Sequence, residues 1–294
     1  MTTTELATPP RAVAPPAAAP AERPARRRRR FPLGWTIALP VPILILIGWQ
    51  LGVQHAWTLP FDIKMAFLPT PGEVALRGAD FAFGGIYDDS FSGTLWGHLG
   101  ASALRVVQGF GLAVVVAVPL GVLMGRSKLL FRMLEPTVNL IRPIPVTAWA
   151  PLTLLIIGFG DRSTVFLVFI AAVFPILLNT ISGVHQVPGR LLEAAAMLGT
   201  PRLQALYKVV MPAAASQIIA GMRIAMGLAW VILVVGETVG ISTGLGALIT
   251  QAREQSRTDL IIMGMIVIGL AGFLADRLLT LVFAIAFGRR PIQK

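Results

Sequence analysis

Uncharged runs divide the chain into six apolar blocks. Residues 31–61 contain no Asp, Glu, Lys or Arg, and neither do 106–125, 143–160 and 163–189. Residues 209–236 are interrupted only by Arg223, and residues 260–275 run on past Asp276 and Arg277 to Phe287. A charge at mid-bilayer costs at least ~2.5–3.5 kcal/mol even on the permissive insertion scale, so such runs mark helices that cross a membrane. Each block reaches across about 30 Å of hydrocarbon once flanking residues snorkel. The expected fold is an all-α membrane protein of about six transmembrane helices. Its expected organisation is a disordered Arg/Pro/Ala-rich tail over 1–30, a first anchor helix over 31–53 and an extramembrane loop over 54–97. A helical core over 98–287 and a short tail over 288–294 follow. In the loop, Pro69, Pro71 and Gly72 break the chain, and Thr58 or Thr70 is placed to cap a short helix.

Composition supports the membrane assignment. Of 294 residues, 55% are hydrophobic and 13% charged, against roughly 25% charged in soluble domains. The chain has no cysteine, which removes disulfides, thiolate chemistry and Cys-ligated metals. His55, His98 and His185 lie too far apart to form a local metal motif. The net charge of +11 raises the question of nucleic acid, but the placement of the charges answers otherwise. With the N-terminus inside, seven tail arginines, then Arg126, Lys128, Arg132 and Arg142, then Arg190, Arg202 and Lys208, then Arg289, Arg290 and Lys294 all fall on the cytoplasmic side. Lys64, Arg77, Arg162, Arg253 and Arg257 fall on the other. Lys and Arg near span ends stay in the cytoplasm, so the expected topology is N-in and C-in, with no nucleic-acid partner.

One cytoplasmic connection, 187–212, is more organised than a loop needs to be. After Pro188 and Gly189, the run Arg190 to Leu198 is rich in strong helix formers. Gly199 sits where a left-handed C-terminal cap belongs. Thr200 and Pro201 read as an N-cap and first helical residue of a second short helix. That helix is expected to end before Pro212, which opens the fifth span.

The spacing Glu193-Ala194-Ala195, three residues, Gly199, nine residues, Val209, one residue, Met211-Pro212 resembles the EAA loop of the inner-membrane permeases of binding-protein-dependent ABC importers. Val209 and Met211 stand where that pattern usually has Ile and Leu. Leu95-Trp96 through Arg105, Leu140 to Pro145, Phe174 to Thr180 and Gly221 to Trp230 are similar to the branch that handles nitrate, sulfonates, taurine and related anions. The resemblance covers about residues 67–287. It implies a type I ABC importer permease-like bundle that is not itself an enzyme. It also implies two cytoplasmic ATPase subunits that hold ATP and Mg, a second permease copy forming a homodimer, and a periplasmic or lipid-anchored substrate-binding protein. No cofactor is implied on this chain. Glu193, Ala194, Ala195, Gly199 and Pro212 become the ATPase-coupling residues. The residue types suit that role: small alanines permit close docking, Gly199 makes the bend, and Glu193 can pair with a basic group.

Ionisable and polar groups inside the spans are candidates for the translocation pathway. Pro143, Pro145 and Pro151 interrupt the third block and free carbonyls that protein or water must satisfy, which makes Arg142, Thr147, Trp149 and Asn179 candidate lining residues. Arg223 lies near mid-depth and either attracts an anion or bonds helix-end carbonyls. Arg105 and Glu237 are expected at the interface, and Asp276 and Arg277 to snorkel or pair without a chemical role. Gly236, Gly240, Gly244 and Gly246 indicate a turn and close helix approach rather than a phosphate loop, because the Lys-Ser/Thr ending is absent. The competing function is an ATP-independent secondary carrier or channel, which calls for deep carboxylates and internal repeats. An intramembrane enzyme would need a nucleophile with its base, or a metal site.

Overall fold

The structure is a computed structural model that describes residues 40–286. The tail assigned to 1–30, residues 31–39 of the first apolar block and the segment from Phe287 onward lie outside the described residues. The chain divides into two units, one up to Ile47 and one from Gly48. The described part of the first is the start of α1 (Pro40–Gln54), an apolar helix with Val41, Ile43, Leu44 and Ile45 exposed.

The second unit begins with the rest of α1 and continues with a small hairpin of two-residue strands, β1 (Thr58–Leu59) paired antiparallel with β2 (Ile63–Lys64). Helices then follow in the order α2 (Pro71–Phe83), α3 (Leu95–Arg126), α4 (Lys128–Ile141), α5 (Val146–Ile157), α6 (Asp161–His185), α7 (Gly189–Met197), α8 (Arg202–Ala205), α9 (Met211–Glu237), α10 (Leu245–Glu254) and α11 (Thr258–Ala286). Among the described residues, four helices are long and apolar enough to cross a membrane: α3, α6, the continuous helix Arg202–Glu237, and α11.

The third apolar block departs from expectation. In place of a straight span over 143–160, α4 and α5 meet at 91°. Pro143 and Pro145 cannot donate to a helical ladder, and Pro145 itself is extended (ψ 133°), so the chain breaks between Ile141 and Val146. At 1.5 Å per residue α5 is only about 18 Å long, too short to cross by itself.

Helix α6 is the centre of the core, packed between α3 and α9. With lipid outside there is no hydrophobic gain in joining helices, so close backbone approach and dispersion hold them together. The sequence provides for this with glycine seams. A Cβ on Gly109 would lie 2.6 Å from the Val165 carbonyl oxygen, and one on Gly121 2.7 Å from Thr180 Cβ, so α3 meets α6 nearly backbone to backbone. On the other side, a Cβ on Gly221 would lie 2.5 Å from Asn179 Cβ and one on Gly236 2.8 Å from Thr164 Cγ2. Ala113, Ala117, Val168, Ala172, Ile176, Ala225, Ala229 and Leu233 fill the seams and are buried.

The extramembrane segment is a folded element. Thr70 and Glu73 form a capping box at the start of α2, as the sequence allows. Arg77 on α2 is buried, with Nη1 on Asp89 (2.7 Å) and Nε on Asp259 of α11 (2.8 Å), and its guanidinium stacks on Tyr87. Arg257 bonds the same two carboxylates. Asp80, also buried, accepts from the backbone N–H groups of Ile86 and Tyr87 and from the Ser92 hydroxyl, each at 2.9 Å. Burial pushes the Asp80 carboxyl up, but these donors and Arg77 outweigh it and hold the group below the ordinary carboxylate range. A carboxyl depressed in the folded state contributes stability that is fully present above its unfolded value, near 3.9, and is lost as pH falls through the lower folded value. Acidification to about pH 4 is therefore expected to leave this segment docked, with release only below that. Trp96, whose indole N–H donates to the Ala82 carbonyl at the end of α2, reports it by fluorescence against a Trp96→Phe control. Release between pH 5 and 6 would contradict the assignment.

Candidate functional site: coupling helix and intramembrane charges

Helix α7 is short because Gly199 stops it. Gly199 has φ +70°, and the two bonds of a Schellman motif close behind it: Thr200 N–H donates to Ala195 O and Gly199 N–H to Ala196 O, both at 3.0 Å. The left-handed cap read from the sequence is thus in place. Only Ala195 of α7 is buried; Glu193, Ala194, Met197 and Leu198 face outward, the last two 87% and 84% exposed. Glu193 has no ion-pair partner among the described residues. Leu203 and Tyr207 extend the exposed apolar surface beyond the bend.

Two details of this segment correct the sequence reading. Pro201, not Thr200, occupies the N-cap position of α8, with no side-chain cap bond. Nor does the second short helix stop before Pro212. It continues through a π-helical turn, Leu206–Val210, into α9. Pro212 has no N–H, and its ring would clash with the Lys208 carbonyl of a regular α-turn. The wider turn, in which Met211 N–H reaches back to Leu206 O, admits the proline without ending the helix. The second short helix, just beyond the bend, and the fifth span are therefore parts of one helix that starts at Arg202 and ends at Glu237.

The other candidates are spread through the core. Arg142 caps α4 at the elbow and is exposed, as is Thr147 in the first turn of α5; Trp149 packs against the core. Asn179 sits at the α6–α9 crossing, where its side-chain amide donates to Pro175 O at 2.8 Å. Arg223 does not bond helix-end carbonyls. Its Nε and Nη2 donate to the two carboxylate oxygens of Asp276 on α11, at 2.8 and 2.9 Å. The pair bridges α9 and α11 with the Arg223 side chain 48% exposed. Since a charge facing hydrocarbon costs several kcal/mol, the pair faces water or protein in the assembled membrane.

Arg105 and Glu237, expected at the interface, are buried. Glu237 is wholly inaccessible. It accepts from Arg105 Nη1, from Ser102 Oγ at 2.8 Å and from Gly246 N–H at 2.9 Å. Arg105 also reaches Asp161 and the Thr243 carbonyl, and His98 Nδ1 lies 3.0 Å from Gly244 N. The glycines between Glu237 and α10 make this possible, because a Cβ on Gly244 would lie 2.5 Å from the Glu237 carboxyl. This node ties α3, α6, α9 and α10 together at the end of α9 opposite α7 and the π turn. Low dielectric makes such a pair tolerable only because nearly every donor and acceptor is matched.

Residues 117–285 match the family of binding-protein-dependent transport system inner membrane components. The chain belongs to this family. The putative aliphatic sulfonates transport permease SsuC of Bacillus subtilis is 34% identical over 85% of both chains. The taurine transport system permease TauC of Escherichia coli is 32% identical over 85% of this chain and 89% of its own. A putative ABC transporter permease of Methanocaldococcus jannaschii is 46% identical over 63% of this chain and 70% of its own. In fold, the permease resembles a chain of the MetNI methionine ABC transporter in an inward-facing form, with a TM-score of 0.52 at 20% identity over 64% of this chain and 97% of that one. It is an all-α, multi-pass ABC importer permease of the nitrate, sulfonate and taurine type.

The matched region holds α7, the π turn and the Arg223–Asp276 pair, whereas α2 with Arg77 and Asp80 precedes it. Sequence reasoning missed the buried node. One signal was available: Arg105 near the start of the second span and Glu237 at the end of the fifth are opposite charges at the same end of an alternating bundle.

Proposed function

We propose that this permease forms half of the translocation pathway for a small oxyanion such as nitrate, a sulfonate or taurine. Two ATPase subunits drive it, each receiving one α7 segment, in a homodimer supplied by an extracytoplasmic binding protein. The observation that carries the reading is that the short helix directly after the Gly199 bend is continuous with α9. A motor holding the exposed Glu193, Ala194, Met197 and Leu198 of α7 pushes, through the capped bend at Gly199, on a helix that runs without interruption from Arg202 to Glu237. Gly199 and its two Schellman bonds make the grip rigid, and the π turn accepts Pro212 without decoupling the parts. The names of the sulfonate and taurine relatives support the substrate class. Affinity purification of the tagged permease should bring down a Walker-motif ATPase in equal number, and reconstituted uptake should require both ATP and the binding protein. ATP-independent uptake by the permease alone would replace this reading with a secondary carrier.

A further inference from the structure

Between α9 and α11 lies a groove of about 490 Å³ lined by Gly227, Trp230, Val231, Ile268, Gly272 and Phe273, among others. Arg223 is four residues before Gly227 and Asp276 three residues after Phe273, so the ion pair sits one helical turn, about 5.4 Å, beyond the groove on both of its walls. Trp230 is 6% exposed, and its indole Nε1–H has no acceptor among the described residues. Gly227 has no atom within 4 Å of a Cβ position, so this part of the wall is open. Arg277 stacks over Phe273 at 4.9 Å and closes no salt bridge among the described residues, though its charge is felt at Asp276. The local charge of Arg223, Asp276 and Arg277 is therefore positive by one.

We propose that this groove is an anion subsite in which Asp276 stands in for the ligand. The ligand is a small oxyanion, best a sulfonate on a short alkyl stem. Its oxygens take the two Arg223 donors that the Asp276 carboxylate now occupies, and its stem lies on the apolar walls. A guanidinium presents paired donors in a planar fork that suits carboxylate and sulfonate oxygens alike, and a short alkyl stem spans the one turn between that fork and the groove. While the groove is empty, Asp276 neutralises Arg223 inside the membrane; when it is filled, the α9–α11 bridge opens. Binding thus competes with a helix–helix contact. This subsite rests on the reading of the permease as an anion importer and names where within it the anion is held.

The test is a titration of full-length permease, purified with the partners it carries in nanodiscs of zwitterionic lipid, with ethanesulfonate at constant ionic strength. The expected result is a saturable change in tryptophan emission that Trp230→Phe removes. Arg223→Gln should weaken the response at least tenfold, and Asp276→Asn, which removes the competitor, should tighten it about tenfold. A merely structural ion pair cannot produce opposite signs at its two ends. If both substitutions weaken the response equally, or no saturable response occurs in a complex that still imports with ATP, the subsite is wrong and the importer reading stands. If the opposite-sign pattern holds in a permease that transports without ATP, the subsite stands and the importer reading falls.

Discussion

Lysine in place of Glu193 is expected to abolish ATP-driven uptake while leaving the permease folded. Glu193 is exposed and has no ion-pair partner among the described residues, so reversing its charge should change stability by no more than about 0.5 kcal/mol. Against a basic group in a motor cleft the same change replaces an attraction by a repulsion. Breaking a buried interfacial charge pair costs about 2–5 kcal/mol, at least a thirtyfold loss of the assembled complex. Two measurements on one preparation separate the effects: the thermal melting midpoint, expected to be unchanged, and ATPase copurification with uptake, expected to be lost. An equal fall in melting midpoint, or full uptake, would remove Glu193 from the coupling surface.

Arg105→Leu is expected to be among the most damaging single changes in the bundle. It strands the Glu237 carboxylate with only Ser102 and the Gly246 N–H as donors, and removing one member of a buried ion pair costs about 3–5 kcal/mol. Asp161, the other carboxylate on Arg105, is 69% exposed on its side chain, so Asp161→Asn should cost no more than about 1 kcal/mol. The double variant Arg105→Leu/Glu237→Leu should recover much of the loss, because an apolar pair leaves no buried charge behind. Thermal unfolding of the four proteins in one detergent checks the order. A double variant as unstable as Arg105→Leu would show that packing, rather than the stranded charge, sets the cost.

The features legible in the sequence are those fixed by local or one-dimensional rules. Uncharged runs located α3, α6, α9 and α11, since the cost of a charge in hydrocarbon does not depend on what packs nearby. The bend at Gly199 was legible because a left-handed cap is a property of a few consecutive residues. The elbow at Pro143 and Pro145 was half legible: prolines announced an interruption, but nothing in the run gave its angle. The charge networks were not legible, because their partners are far apart in the chain. Arg77 pairs with Asp259 at a separation of 182 residues and Arg105 with Glu237 at 132. Each of these residues, taken singly, resembles an ordinary residue at a membrane surface. Arg223 was singled out, but its partner was set aside as inert because Asp276 lies 53 residues on, on a different helix.

The π turn at Leu206–Val210 has a consequence for chain length. A single residue advances the face of a helix by about 100°, so the extra residue in that turn sets the angle between the exposed Leu203 side of the helix, which the proposed motor would meet, and the side of α9 that holds Arg223. Removing one residue there would leave both halves helical but out of phase, turning a cation toward the glycine seams of α6. The number of residues between Tyr207 and Pro212 is thus as much a part of the machine's timing as the chemistry of any one of them.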